Sequence, residues 1–472
     1  MKPRIVIVGA GLGGCFVAHG LADTHDVTFV ELPPATNLQR RIIDVAAPAI
    51  IDPHVAAGLG GTSALWHNGL IEIDDAIFAE WPVPKSELMP FYRSAYPLLA
   101  GVSIDTVSRE AASLRERYRV LGLSDARLPC LFYPRKRRNA WSALKLAARV
   151  GMIRGEVVAL EPNGTDAIQA VLVRTENGEK RIAADIFVLA AGGLATPLLL
   201  QQLSTRLPLT ALQNAGRHYE DHPMAFVAEL KTDAPFYRLW NYSARGTNGN
   251  IRMPLVIKQD GLDVSFQVRP AAHFYGRTSR HAVKSIVTDI RNNRFNPMGY
   301  LRLITHGDDV LDILSFALGI RVPTNHYTLL MYAQQPASPD RDVWGVVDEE
   351  TGVRTIQRNW RLPGAYLATL DRAVAQVIDR FGTLLTSASI FPNWHASIHS
   401  AAHHSGTARM AASPTDGVCD ADARVFGLRN LYVADGSLIP SSGIANTGLT
   451  IAALALRLAK HLQARHTPPN VN

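Results

Sequence analysis

The sequence predicts an α/β chain: a nucleotide-binding domain on a parallel sheet, interleaved with an α+β domain on a mostly antiparallel sheet. Three observations carry this. The apolar, β-branched run Ile5 to Val8 leads straight into a glycine-rich turn and a helix-like stretch. A second strand–glycine–helix unit occupies Ile186 to Gln202. From about 223 to 395 the pattern changes to alternating strands, with helical stretches on one side of the sheet they build.

The first unit is the most informative. Ile5 to Val8 has the character of a buried parallel strand. Gly9 and Gly11 let the chain turn tightly and let its backbone approach phosphates, and Gly14 permits close packing of helix on strand. The helix expected over Gly13 to Ala22 aims free N–H groups and its positive dipole end at an anion. A second strand, Asp26 to Val30, ends on Glu31, about 20 residues beyond the glycines, as a ribose-binding carboxylate does. Strand, turn, helix, strand and acid in this order predict a dinucleotide site. FAD and NAD both fit these residues.

At 472 residues the chain is long enough for two interleaved domains. Apolar content of 47% and charged content of 19% exclude a disordered chain. The formal charge of +7 is spread along the sequence. Its one dense cluster, Arg135 to Arg138, reads as a solvated loop, so no nucleic-acid partner is expected. Cys15, Cys130 and Cys419 show no C-x-x-C spacing, which fits a reducing compartment. No apolar run reaches the length of a membrane span, and a strand from residue 4 leaves no room for a signal peptide. A cytoplasmic location is expected.

Between the two strand–glycine–helix units, Val55 to Gly69 concentrates glycine beside Trp66 and His67, suggesting a backbone that approaches something large and flat. Helices are expected at 87–100 and 109–121, then strands at Glu156 to Leu160, Ile168 to Thr175 and Ile186 to Ala191. Gly192 and Gly193 close the last of these, and a helix over Ala195 to Gln202 follows. In the second domain, strands are expected at Ala225 to Leu230, Ile251 to Lys258, Val264 to Arg269 and Tyr327 to Ala333. Its helices are expected at 281–292, 308–319 and 364–387. Tyr237, Trp240, His273, Tyr275 and Trp394 suit a core as well as a substrate pocket.

Polar rings become frequent after residue 390. The spacing of His395, His399 and His403 suggests one helical face and invites a metal reading. No carboxylate or thiolate stands at ligand spacing, so no metal is expected. The sharper feature is His403-His404-Ser405-Gly406-Thr407, followed by Asp435-Gly436-Ser437 and then Asn446.

With these motifs assembled, the chain resembles the glucose–methanol–choline (GMC) family of FAD-dependent oxidoreductases over nearly its whole length. The glycine turn matches at Gly9 to Gly14, and the family's flavin loop at Gly60-Gly61-Thr62-Ser63. Further matches are Ala191-Gly192-Gly193 with Thr196-Pro197, Ala215-Gly216 with Asp221-His222-Pro223, His403 to Thr407, and Asp435 to Asn446. Trp66, where many relatives carry Asn, is more like the pyranose oxidase branch. That branch can attach FAD through a His before this Trp; here the matching residue is Leu65, so non-covalent FAD is expected.

The resemblance implies a Rossmann-like FAD-binding domain at 1–222, with a lid or cap excursion at about 70–135. A substrate domain would follow at 223–395, a return with the catalytic residues at 396–466, and a tail at 467–472. It implies His403 as general base, with His404 one alignment slip away, and Asn446 bonding the same substrate oxygen while hydride passes from a CH–OH donor to flavin N5. Gly60, Gly61, Thr62, Ser63, Trp66, Asn68, Ala191, Gly192, Asp221, Asp435, Gly436, Asn446 and Thr447 would contact the flavin dinucleotide, as would Val157 or Val158 near its adenine. The helix from about Thr447 would point its N-terminus at the flavin. The implied partners are a small-molecule alcohol, such as a sugar or secondary metabolite, and oxygen, a quinone or a redox protein as electron acceptor. A dehydrogenase forming C=C or C=N bonds, or a flavin-retaining lyase, is the alternative.

Overall fold

Five strands, all parallel, build the first sheet in the order Leu431–Val433, Ile186–Leu189, Arg4–Val8, Asp26–Glu31 and Gly151–Arg154. The computed structural model describes residues 2–34, 36–46, 55–66, 68–119, 127–136, 138–233, 245–246, 249–270, 297, 325–348 and 354–466. The helices expected at 281–292 and 308–319, the tail, His67, Tyr237, Trp240, His273 and Tyr275 lie outside these residues.

The central strands are buried on both faces, which is why Ile5 to Val8 and Ile186 to Leu189 read as unbroken apolar runs. The helix Leu12–Leu21 follows the first strand and packs against the C-terminal helix Gly448–His466. Their approach is close: a β-carbon on Gly20 would lie 2.6 Å from that of Ala459. The strand Leu431–Val433 arrives last in the sequence and pairs with Ile186–Leu189, so both ends of the chain share one sheet. Asn430 anchors this return. Its Oδ1 accepts from the Ile168 amide at 2.9 Å, and its Nδ2 donates to the carbonyls of Ile168 and Asp185.

The second sheet is antiparallel, in the order Leu255–Gln259, Leu262–Pro270, His326–Ala333, Pro223–Lys231 and Ser387–Ile390, with His399–Ser400 also pairing to Pro223–Lys231. The helix Gly364–Phe381 packs against its first two strands. Leu370, Ala373, Val374, Val377 and Phe381 form that buried stripe at helical spacing. Elsewhere, Glu156–Asn163, Ala167–Thr175 and Gly178–Ala183 form a meander, and Ile42–Asp44 joins Asp342–Val347 and Arg354–Asn359 in a small mixed sheet.

Several expectations are corrected. The strand expected over Ile251 to Lys258 is two strands: Gly249–Arg252 pairs with Leu131–Pro134, and Leu255–Gln259 joins the large sheet. Pro254, lacking an N–H, sits between them and breaks the ladder. The helix expected over 364–387 stops at Phe381, where Gly382 takes a φ of 38°. The helical face drawn for His395, His399 and His403 does not form: Trp394–Ser397 is a 3₁₀ turn and His399–Ser400 a strand. Trp394 is buried and donates from Nε1 to Asp371. Among the described residues, no helix is long and apolar enough to cross a membrane.

Candidate active site

A cavity of about 610 Å³ opens at the carboxyl ends of the parallel strands, lined there by Val8, Gly9, Glu31 and Ala190. Ligands of open α/β sheets bind at this edge. Gly9 has a φ of 101°, and a β-carbon on it would lie 2.4 Å from the Ala190 carbonyl oxygen, so only glycine fits. Gly11 caps the helix Leu12–Leu21 without a side-chain hydrogen bond, leaving first-turn N–H groups free beside the cavity. Gly14 stands outside the lining. Its α-carbon packs over the Gly9 carbonyl, 2.4 Å from where a β-carbon would be.

Glu31 lines the cavity and also ties two loops together. Its carboxylate accepts from the Ala10 amide and, at 3.0 Å, from the Gly58 amide. Burial raises its pKa, and those amides offset this only in part. The 3₁₀ turn Gly61–Ala64 brings Gly61, Thr62 and Ser63 to the wall, whereas Gly60 turns toward Asn139. Trp66 lines the cavity and donates from Nε1 to the Arg138 carbonyl at 3.2 Å. Its ring fills the space in which a β-carbon on Gly448 would stand, 2.2 Å away. Asn68 is buried outside the lining. Val157 lines the cavity and Val158 does not: a bulge at this point interrupts the pairing register, and the Val158 carbonyl accepts from Arg354.

Ala191 and Gly192 form the wall opposite, with open space where a β-carbon on Gly192 would point. Asp435 clamps this turn. One oxygen accepts from the Gly192 amide (2.8 Å) and the Thr196 hydroxyl (2.6 Å), the other from the Ser437 amide and hydroxyl. Burial raises Asp435, and these hydrogen bonds offset that only in part. Gly436 and Thr447 also line the cavity, where the helix Gly448–His466 begins.

His403 and Asn446 reach the same cavity. His403 Nδ1 lies 2.8 Å from His222 Nδ1, and His222 Nε2 lies 3.1 Å from Ser442 Oγ. Asp221 sits outside the lining, beneath the histidines. It accepts from the amides of His222 (2.7 Å) and His403 (3.0 Å) and from the Ser400 hydroxyl. Burial alone would raise its pKa; hydrogen bonding and charge from His404 and His403 outweigh that and hold the carboxyl well below the usual range. His404 also lines the cavity; its Nδ1 lies 2.8 Å from Tyr219 Oη and 3.3 Å from Asp221 Oδ2, and its Nε2 is buried. Burial, with His222 alongside, pushes His403 down to about 3. A neutral imidazole and a carboxamide lining one cavity are equipped to take a proton from a hydroxyl and hold its oxygen.

The sequence reading missed His222, Tyr219 and Ser442 as members of this cluster. His222 stands within a matched motif, yet nothing in spacing brings it against a residue 181 positions away. Arg41, Arg354 and Ile356 also line the cavity and were missed because the strands around them were not recognised.

Residues 350–455 match the model of the GMC oxidoreductase family. Cholesterol oxidase from Acinetobacter baumannii is 32% identical over 122 residues, covering 24% of this chain and 22% of that protein. The fructose dehydrogenase large subunit from Gluconobacter japonicus is 25% identical over 330 residues, covering 68% and 55% respectively. The matches thus span about a fifth to about half of these relatives. The solved structure of pyridoxine 4-oxidase from Mesorbium loti superposes with a TM-score of 0.63 at 17% identity, covering 99% of this chain and 100% of the other; that likeness shows the fold.

Proposed function

We propose, from the premise that this chain belongs to the GMC oxidoreductase family, that it is an FAD-dependent oxidase or dehydrogenase removing hydride from the CH–OH carbon of a small-molecule alcohol. The cavity fits the cofactor on structural grounds: a helix N-terminus without a side-chain cap, Gly192 with open space where a β-carbon would point, and the buried carboxylate of Glu31. Gly9, Gly11, Gly61, Thr62, Ser63, Trp66, Val157, Ala191, Gly192, Asp435, Gly436 and Thr447 would hold it. FAD, when bound, supplies the hydride acceptor.

The remaining work belongs to side chains. His403 accepts the hydroxyl proton at Nε2, the ring nitrogen not taken up by His222. Asn446 hydrogen-bonds the same oxygen and orients the carbon. Asp221, ionised below, offsets the positive charge gained by the imidazole. The helix starting at Gly448 turns its positive end toward the cavity. The observation that carries this reading is that His403 and Asn446 line one continuous cavity with Gly9, Gly11 and Asp435. Oxygen, a quinone or a redox protein would then take the electrons.

The test is anaerobic mixing of the purified, FAD-loaded protein with sugars, primary alcohols and aromatic alcohols while oxidised-flavin absorbance is followed. Bleaching by one class supports the proposal and names that class. A yellow protein that no alcohol bleaches moves the assignment to C=C or C=N formation or to a lyase. A protein that takes up no FAD overturns it.

A further inference from the structure

His222 is buried, lies outside the cavity lining, and meets His403 through Nδ1 facing Nδ1 at 2.8 Å. Only one proton fits between two nitrogens at that distance, so one ring donates and the other accepts. The far side of His222 decides which. Its Nε2 faces Ser442 Oγ at 3.1 Å, and the Gly443 backbone hydrogen-bonds the ring in the sense that favours a proton on it. A backbone carbonyl only accepts, and since Nε2 is the nitrogen that faces Ser442, the residue next to Gly443, we assign the proton of His222 to Nε2. Fully buried, His222 stays neutral, and its Nδ1 is left as an acceptor. His403 must then donate from Nδ1, which leaves the lone pair at Nε2, on the cavity side.

We propose that His222 is a positioning residue that holds His403 in the Nδ1–H tautomer and so presents Nε2 as the proton acceptor. The inference rests on His403 being the base. An isolated neutral imidazole distributes its proton over both nitrogens, and the form protonated at Nε2 has no lone pair to offer the cavity. The charged and titratable groups facing the pair are Asp221, which binds both backbone amides, and His404, held by Tyr219. Asp221 meets no ring nitrogen of His222 or His403 among the hydrogen bonds described, so it sets charge, while His222 sets the tautomer.

The experiment compares His222→Leu, which removes the acceptor, with His222→Asn, whose Oδ1 can stand where Nδ1 stood. Nitrogen-15 NMR of histidine-labelled, FAD-loaded protein reads the His403 tautomer without turnover, and flavin absorbance confirms that the site is intact. The expected result is an Nδ1–H tautomer in the parent and in His222→Asn, and a shift toward Nε2–H in His222→Leu. With a substrate in hand, kcat for His222→Leu should fall about 10²-fold with KM little changed, and His222→Asn should recover most of it. An unchanged His403 tautomer in His222→Leu overturns the proposal, as does an Nε2–H tautomer in the parent. Should His222→Leu fail to fold, His222→Asn and the parent still decide: loss of the Nδ1–H form in His222→Asn, with FAD retained, overturns it. Because the NMR reading needs no alcohol, failure of the alcohol-oxidation assignment is seen separately, as absence of bleaching.

Discussion

His403 gathers its properties from neighbours the sequence keeps far away. His222 occupies its Nδ1, Asp221 holds its amide, and burial keeps the ring neutral. On the mechanism proposed above, removing the imidazole removes the proton acceptor and little else, because the cavity-lining Gly192 and Asp435 are supported independently. His403→Ala is therefore expected to keep its yellow colour while alcohol-driven flavin reduction slows by about 10²- to 10⁴-fold. Stopped-flow absorbance checks this, and a variant reduced at the parent rate would remove His403 from the mechanism. The pairing with His222 was not legible in the sequence. His403 itself stood out because a histidine just ahead of Gly406-Thr407 is a local pattern, whereas its partner is supplied by the strand Pro223–Lys231 and the turn before it.

Among the elements, the helix Leu12–Leu21 is the most tightly constrained. A β-carbon on Gly13 would lie 1.6 Å from the Ala434 carbonyl oxygen, so the strand–helix unit and the returning C-terminal segment meet backbone to backbone. Gly13→Ala should destabilise the protein by about 2–4 kcal/mol and weaken FAD retention, since backbone cannot step aside as a side chain can. Gly364, at the start of the helix Gly364–Phe381, has nothing within 4 Å of a β-carbon. Gly364→Ala is expected to be neutral or stabilising by up to about 1 kcal/mol. Urea unfolding of the two variants gives the comparison, and equal effects would contradict the packing argument. Elements with a single strong periodicity, such as Arg4–Val8 and Gly364–Phe381, were readable in advance. Arg354–Asn359 was not: its alternation is broken by Arg358, whose fully buried guanidinium is paired to Asp44.

Over the whole molecule, pH-dependent stability offers a test that needs no substrate. Glu220 is fully buried, its Oε1 lacks a hydrogen-bond partner among the described residues, and burial pushes it up to about 8, with Arg341 offsetting only part. Between its ordinary value of 4.5 and about 8 the folded chain binds a proton that the unfolded chain has released. Stability therefore falls with rising pH across that window and levels off above it. Glu220→Gln should remove this slope and gain roughly 2–4 kcal/mol relative to the parent at pH 8.5. Chemical denaturation at pH 7 and 8.5 measures it, and a parallel pair of curves would clear Glu220. Acid precipitation of the loaded protein should leave all flavin in the supernatant, as expected of a site whose residue before Trp66 is Leu65; flavin remaining with the pellet would show a covalent link.

By itself, the sequence determined the parallel sheet, the glycine turn with Glu31, and the candidacy of His403, Asn446 and Asp435. Each rests on a short-range pattern: strand and helix periods, a positive-φ glycine, or a motif read within a dozen or so residues. Tertiary structure alone decided that Asp221 lies beneath the histidines and outside the cavity wall, that Val157 and not Val158 faces it, and that His222 sits against His403. Those facts depend on a strand bulge and on segments far apart in sequence meeting across two sheets. Local chemistry leaves such meetings undetermined, because their energy exists only after the chain has closed on itself.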